Sequence, residues 1–223
     1  MSSTILLLGG SGSGKSASLR NLDPKETFLI SILGKPLPFR GASSKYKPIS
    51  GWEDMENNYF VSDNCDRILK CLNLVNKRED IKVLVIDDFN YLLVNQFMRR
   101  ATEKGFDKFT EMAKSIHGLV ETMAHMRKDL FCVFTMHNEL DALGFYKIKT
   151  VGKMLDEKVA IEGMVTATLH SLVIDGQYKF LTQRTDSHLA RTPMDLFKDL
   201  YIDNDINAII NAMRNYFNED VPL

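Results

Sequence analysis

A chain of 223 residues with 44% hydrophobic content holds enough apolar material for one α/β domain, predicted here as a single domain over 1–223. A formal net charge of −1 excludes a globally basic nucleic-acid binder, so any such contact must use a local patch or the groove of an oligomer. Cys65, Cys71 and Cys132 share neither disulfide nor zinc-site spacing; no signal peptide or membrane-length apolar run is visible, which predicts a cytoplasmic protein without a membrane partner.

Thr4–Leu8 reads as a short, continuously apolar strand of the kind found at the centre of a parallel sheet. It leads into Gly9-Gly10-Ser11-Gly12-Ser13-Gly14-Lys15-Ser16, which is Gly-x4-Gly-Lys-Ser, and then into a helix-compatible stretch, Ala17 to Asn21. Strand, glycine-rich loop and helix in that order form the context in which this pattern binds phosphate. The backbone N–H groups of Gly10 through Ala17 would face inward as an anion nest. Lys15 would reach the β- and γ-phosphates, and the Ser16 hydroxyl would ligate Mg²⁺.

Thr27–Ile32 is a second strand, followed by an irregular basic stretch from Gly34 to Pro48 that reads as a surface loop, either merely solvated or touching nucleotide or DNA. Tyr59–Val61 suggests a brief strand. Asp63 or Asn64 can cap a helix whose apolar stripe is Cys65, Ile68, Leu69, Leu72 and Val75. Ile81–Ile86 is a third strand, ending in Asp87-Asp88. Helices are expected from about Tyr91 to Glu103 and from after Gly105 to Lys128, the second with Phe109, Met112, Ala113, Ile116, Leu119, Val120 and Met123 inward. Leu130–Met136 is a fourth strand, ending in His137-Asn138-Glu139. Past a polar, glycine-punctuated stretch, Met164–Ile174 and Gln177–Thr182 form a hairpin around Asp175-Gly176. Thr192 and Pro193 signal a short helix, and Ile206, Ile209, Ile210, Met213 and Phe217 mark a final amphipathic one, about Asp205 to Phe217. This alternation predicts an α/β fold: a central, mostly parallel sheet flanked by helices, with a C-terminal antiparallel hairpin.

Two further segments carry chemistry. Val83 to Ile86 would deliver Asp87 and Asp88 to the sheet edge where the glycine-rich loop also sits, so that Asp87 backs the Mg²⁺ through its water shell. Asp88 would either orient the attacking water as a general base or cap the next helix. The strand Phe131–Met136 would end in a polar side chain that senses the γ-phosphate, His137 or Asn138. His117, His125, His170 and His188 lack metal-ligand spacing and read as structural or surface residues.

Together Gly9–Ser16, Val83–Asp88 and Phe131–Glu139 resemble the core of a RecA-like P-loop ATPase. Leu33 to Phe39, Thr150 to Leu155 and Ile202 to Asp205 resemble a narrower group, the small phage ATP-binding proteins of the Sak-type single-strand-annealing or recombination family. The resemblance implies an ATPase with ATP and Mg²⁺ as cofactors, acting on single-stranded DNA as a homo-oligomeric ring or filament, in the bacterial host cytoplasm if phage-encoded. It implies a mobile DNA-binding loop at Asp141 to Asp156, with Phe145 and Tyr146 for base stacking beside Lys147, Lys149 and Lys153 for phosphates. It also implies that Arg184 reaches a neighbouring subunit's nucleotide, the plain alternative being a surface pair with Asp186. One departure is evident: the family's catalytic Glu follows the strand after the P-loop helix, and neither Glu53 nor Glu56 is well spaced for it. Two rival readings stand beside this one, a nucleotide kinase and a non-hydrolysing ATP-dependent replisome adaptor.

Overall fold

Strands whose residues are apolar on both faces need cover on both, and the computed structural model, which describes residues 1–53, 56–152, 155 and 158–218, meets that need with helices on each side of one sheet. Its strands are β1 (Ser3–Leu8), β2 (Thr27–Ser31), β3 (Tyr59–Val61), β4 (Val83–Asp87), β5 (Phe131–Met136), β8 (Ala167–Ile174), β9 (Gln177–Leu181) and β10 (Tyr201–Asp203). They lie in the order β10-β9-β8-β1-β5-β4-β2-β3. The six strands from β8 to β3 run parallel; β9 is antiparallel to both β8 and β10. The strand before the glycine-rich loop and the strand bearing the acidic pair are therefore separated by one strand, β5. The fold is a mostly parallel α/β sheet flanked by helices, with an antiparallel hairpin toward one edge.

Two apolar layers hold it. On one face Leu6, Leu8, Ile30, Ile86 and Phe134 pack against the helices α2 (Cys65–Val75), α3 (Tyr91–Arg99) and α4 (Asp107–Ala124). On the other, Ile5, Leu7, Val85 and Val133 meet Leu19, Leu22 and the stripe Ile206, Ile209, Ile210 and Met213 of a C-terminal helix, α5 (Ile206–Asn218). Each fully buried side chain of this size contributes roughly 1.5–3 kcal/mol. In α2, Leu69 faces outward at 38% exposure and Cys71 takes the inward place beside Ile68, Leu72 and Val75. Asn64 is the cap, accepting from Arg67 N at 3.0 Å, while Asp63 pairs with Arg99.

Three expectations change. The helix after the glycine-rich loop, Ser16–Asn21, is a six-residue 3₁₀ helix. Ser18 N is shared between Lys15 O and Gly14 O, and Ser18 Oγ bonds Lys15 O at 2.6 Å, a local alternative to regular α bonding. No helix starts at Pro193; Asp195 has a φ of 59°, which an α-helix cannot absorb, and the segment is a turn. The first part of the stretch expected as a mobile loop belongs to a small antiparallel pair, β6 (Asn138–Leu140) and β7 (Tyr146–Ile148), with Ile148 buried. Lys153, Met154 and Asp156 lie outside the described residues. The basic stretch after β2 contains one helical turn, α1 (Ala42–Lys45), and the following Tyr46 is buried. No helix among the described residues is long and apolar enough to cross a membrane.

Candidate nucleotide-binding site

β1 delivers the chain to Gly9, whose N–H bonds Met136 O at 3.3 Å and so continues the β1–β5 ladder into the loop. A Cβ at Gly9 would come within 2.6 Å of Ser171 O and of Ser13 Oγ, so only glycine fits against β8. The turn closes with Ser13 N donating to Gly10 O at 3.3 Å. It is tied from behind by Ser171 Oγ, which donates to Ser13 O at 2.6 Å and accepts from Asn204 Nδ2 at 3.3 Å. Ser11 and Gly12 are exposed at the loop tip, Gly10 and Ala17 are half-buried, and Ser13 turns its hydroxyl inward. Among the described residues no backbone carbonyl takes the N–H groups of Gly12, Gly14 or Lys15, which leaves three donors in sequence for an anion. Lys15 Nζ bonds Gly9 O and Gly10 O, both at 2.7 Å, and the ammonium thus spans the mouth of the loop. Burial lowers its pKa to about 8, against the opposing pull of Asp87 and Asp88.

Ser16 Oγ donates to Asp87 Oδ1 at 3.0 Å. The two predicted metal residues, distant in sequence, therefore meet. Thr135 on β5 joins them: its Oγ1 donates to Asp87 Oδ1 at 2.8 Å and accepts from Asp88 N at 2.8 Å. Thr135 was not singled out in the sequence; its only signal is a hydroxyl in an otherwise apolar strand. Burial raises the pKa of Asp87, and the neighbouring Asp88 charge adds to the effect. Among the described residues no cluster of three or more His, Cys, Asp or Glu side chains holds a metal alone. The Ser16–Asp87 pair suits Mg²⁺, which takes one or two protein oxygens and completes its shell with phosphate and water.

Asp88 is not a helix cap. Its φ is 63°, the residue preceding α3 is Asn90, and the Asp88 carboxylate faces the site. Oδ2 is 2.7 Å from Lys35 Nζ and Oδ1 is 3.9 Å from His137 Nε2. The carboxylate holds the Lys35 pKa above its ordinary value. Lys35 lies in the loop after β2; Glu53 and Glu56 are both exposed on a loop before β3. In the sequence Lys35 stands out as part of a basic stretch and of the Leu33 to Phe39 segment, not as a partner of Asp88.

His137 and Asn138 both face the site. His137 packs edge-on to Tyr91 with centroids 5.9 Å apart, and burial together with the Lys15 charge lowers its pKa, so it is neutral at pH 7. Asn138 Oδ1 is 3.7 Å from where a Cβ on Gly10 would lie. Its Nδ2 is 3.1 Å from His170 Nε2, and His170 Nδ1 is 3.2 Å from Leu189 O. Since the carbonyl only accepts, His170 carries its proton on Nδ1 and accepts from Asn138. His170 is fully buried, and its pKa is lowered by that burial to about 4.

The structure reassigns part of the expected DNA loop. The Tyr146 ring is stacked on His188 at 4.7 Å and edge-on to His170 at 6.0 Å, so it is packed rather than free to stack on a base. Lys147 pairs with Glu139 at 3.5 Å. Lys149 is exposed, and Phe145 is covered by the Arg184 guanidinium at 4.7 Å from the ring centroid. Arg184 thus has an intrachain aromatic partner, and no ion pair joins it to Asp186 among the described residues. A cavity of about 1000 Å³ lies at the opposite edge of the sheet, between Phe131, Arg214 and Phe217, away from all of these groups.

A Gly-x4-Gly-Lys-Ser loop set between a central parallel strand and a helical turn has the form that cradles phosphate. No protein-family model matches the chain, and no curated protein matches it in sequence. Among solved structures it is similar to the genome packaging NTPase B204 from Sulfolobus turreted icosahedral virus 2 in complex with ATP-gammaS, at 12% identity and a TM-score of 0.43, over 83% of this chain and 77% of that one. That similarity is one of outline, and the functional reading rests on the residues described above.

Proposed function

We propose that this chain is a Mg²⁺-dependent P-loop ATPase. The observation that carries the reading is the direct Ser16–Asp87 hydrogen bond at 3.0 Å beside a lysine-headed glycine loop, with a second carboxylate, Asp88, next in sequence. Backbone N–H groups of the loop and the Lys15 ammonium bind the phosphates. Ser16 and Asp87 would hold Mg²⁺, which when bound neutralises charge on the phosphate oxygens. Asp88, turned toward the site by its positive φ and held by Lys35, orients a water and accepts its proton. Neutral His137 and Asn138 supply hydrogen bonds to the terminal phosphate. Lys35 adds positive charge beside them.

The finer reading is a RecA-like enzyme of the Sak-type phage group that hydrolyses ATP while gripping single-stranded DNA as a ring or filament. Its support is the exposed Lys149 at the end of the β6–β7 hairpin, which opens at Asn138 directly after β5. The hairpin couples to the site through Tyr146, His188, His170 and Asn138, a continuous set of contacts. Phosphate release from Mg·ATP, measured with and without single-stranded DNA, tests both levels. Release that DNA accelerates supports the full reading, and release indifferent to DNA leaves the ATPase alone. ATP binding without release transfers the assignment to a non-hydrolysing adaptor.

A further inference from the structure

We propose that the β8–β9 hairpin seats the nucleobase, with Tyr178 as the stacking surface. This inference rests on the nucleotide reading above and deepens it by naming the residue that grips the base. β8 pairs with β1 only as far as His170, opposite Leu8, yet it runs on to Ile174. The hairpin therefore overshoots the sheet and stands alongside the phosphate loop. Val173 and Tyr178 are directly paired across it, so both side chains stand on one face. Strand alternation puts Phe180 on that face too, and Phe180 packs in the layer that contains Leu19 and α5. Tyr178 accordingly lies on the side of the sheet where the glycine loop runs into its helix.

The ring is pressed onto the loop itself. A Cβ at Gly14 would meet Tyr178 Cδ1 at 2.7 Å and Cγ at 2.9 Å, and Gly14 has a φ of 98°. Contact of this kind fixes one side of the aromatic ring against backbone next to Lys15. Even so, Tyr178 is 50% exposed and Val173 52% exposed. An aromatic ring in contact with Gly14, one residue from Lys15, and the branched aliphatic chain paired with it, both half open to solvent, form a flat apolar seat. A nucleobase is a flat π surface one ribose away from the α-phosphate. Stacking on a pre-positioned aromatic tolerates any base, because each has a π face. The seat therefore binds the base by stacking rather than by reading its edge, which predicts similar affinities for ATP and GTP.

The test compares Mg·ATP, Mg·GTP and Mg·tripolyphosphate by titration calorimetry on the wild type, Tyr178→Phe and Tyr178→Ala. Tripolyphosphate has the phosphates without the base. Tyr178→Ala is expected to lose about tenfold in affinity for ATP and GTP, corresponding to about 1.4 kcal/mol. Its tripolyphosphate affinity should match the wild type, and Tyr178→Phe should retain nucleotide affinity. Unchanged ATP affinity in Tyr178→Ala overturns the proposal while tripolyphosphate binding keeps the P-loop reading intact. An equal loss for ATP and tripolyphosphate also overturns it, making Tyr178 a brace for the loop. Failure of the wild type to bind either ligand overturns the P-loop reading and this one together.

Discussion

Lys35 Nζ lies 2.7 Å from Asp88 Oδ2, so the second carboxylate of the acidic pair is held from the loop of the neighbouring strand rather than left free. Lys35 is largely exposed and Asp88 is buried, with side-chain exposures of 59% and 8%. The pair closes a square of charge in which Lys15 and Lys35 oppose Asp87 and Asp88. Nucleotide brings further negative charge to this square, and each residue has a separable task within it.

Asp88→Asn should bind Mg·ATP as the wild type does and release phosphate about 100-fold more slowly, the scale of a lost general base. Single-turnover phosphate release together with calorimetric affinity checks this. Turnover equal to the wild type would return Asp88 to a structural role.

Lys35→Ala should weaken Mg·ATP binding by about three- to tenfold, because removing one partly exposed charge leaves the site more negative without touching the loop. The loss should shrink as salt is raised, since the Lys35 head is solvent-accessible and screened. Titration calorimetry at two salt concentrations reads it.

The phosphate loop and its partner aspartate were legible because each pairs a local pattern with a strand end: apolar run, then Gly-x4-Gly-Lys-Ser, and apolar run, then Asp-Asp. The sheet was legible for the same reason, as Val83–Asp87 and Phe131–Met136 are continuously buried strands. Thr135 and Lys35 were not, since their roles depend on which strands become neighbours: β5 beside β4, and β2 beside β4 on its other side. Tyr146 in the 141–156 stretch looks free in sequence, while its ring partners are distant there: His170 comes from β8 and His188 from the loop after β9. The turn at Pro193 misled because capping residues predict a helix only if the next φ values permit one, and Asp195 at 59° does not.

Acid should loosen the region behind Asn138. His170 is buried and neutral, with a pKa lowered to about 4. Below its unfolded value of about 6.5 the unfolded chain binds more protons, so stability is present above pH 6.5 and is lost as pH falls toward 4, by up to about 3 kcal/mol. Denaturant unfolding between pH 7 and pH 4 should show this component. His170→Gln should be less stable at pH 7 but lack that share of the pH dependence.

Arg184 is exposed and stacked on Phe145, accessible to a neighbouring subunit. If it completes the site in trans, Arg184→Ala and Lys15→Ala should each be inactive alone and recover part of the ATPase rate when mixed. A fully active Arg184→Ala, or a protein that stays monomeric by light scattering with ATP and DNA present, contradicts the trans arrangement.

Lys15 and the glycine loop are assigned to bind nucleoside triphosphate, and calorimetric titration of Mg·ATP into wild type and Lys15→Ala measures that binding. The wild type should bind at pH 7 and lose affinity as pH rises above about 8, where the ammonium, its pKa lowered to about 8 by burial, discharges. Lys15→Ala should show no detectable binding while retaining the wild-type far-ultraviolet circular dichroism. Equal affinity in the two proteins, with no fall above pH 8, would contradict the account.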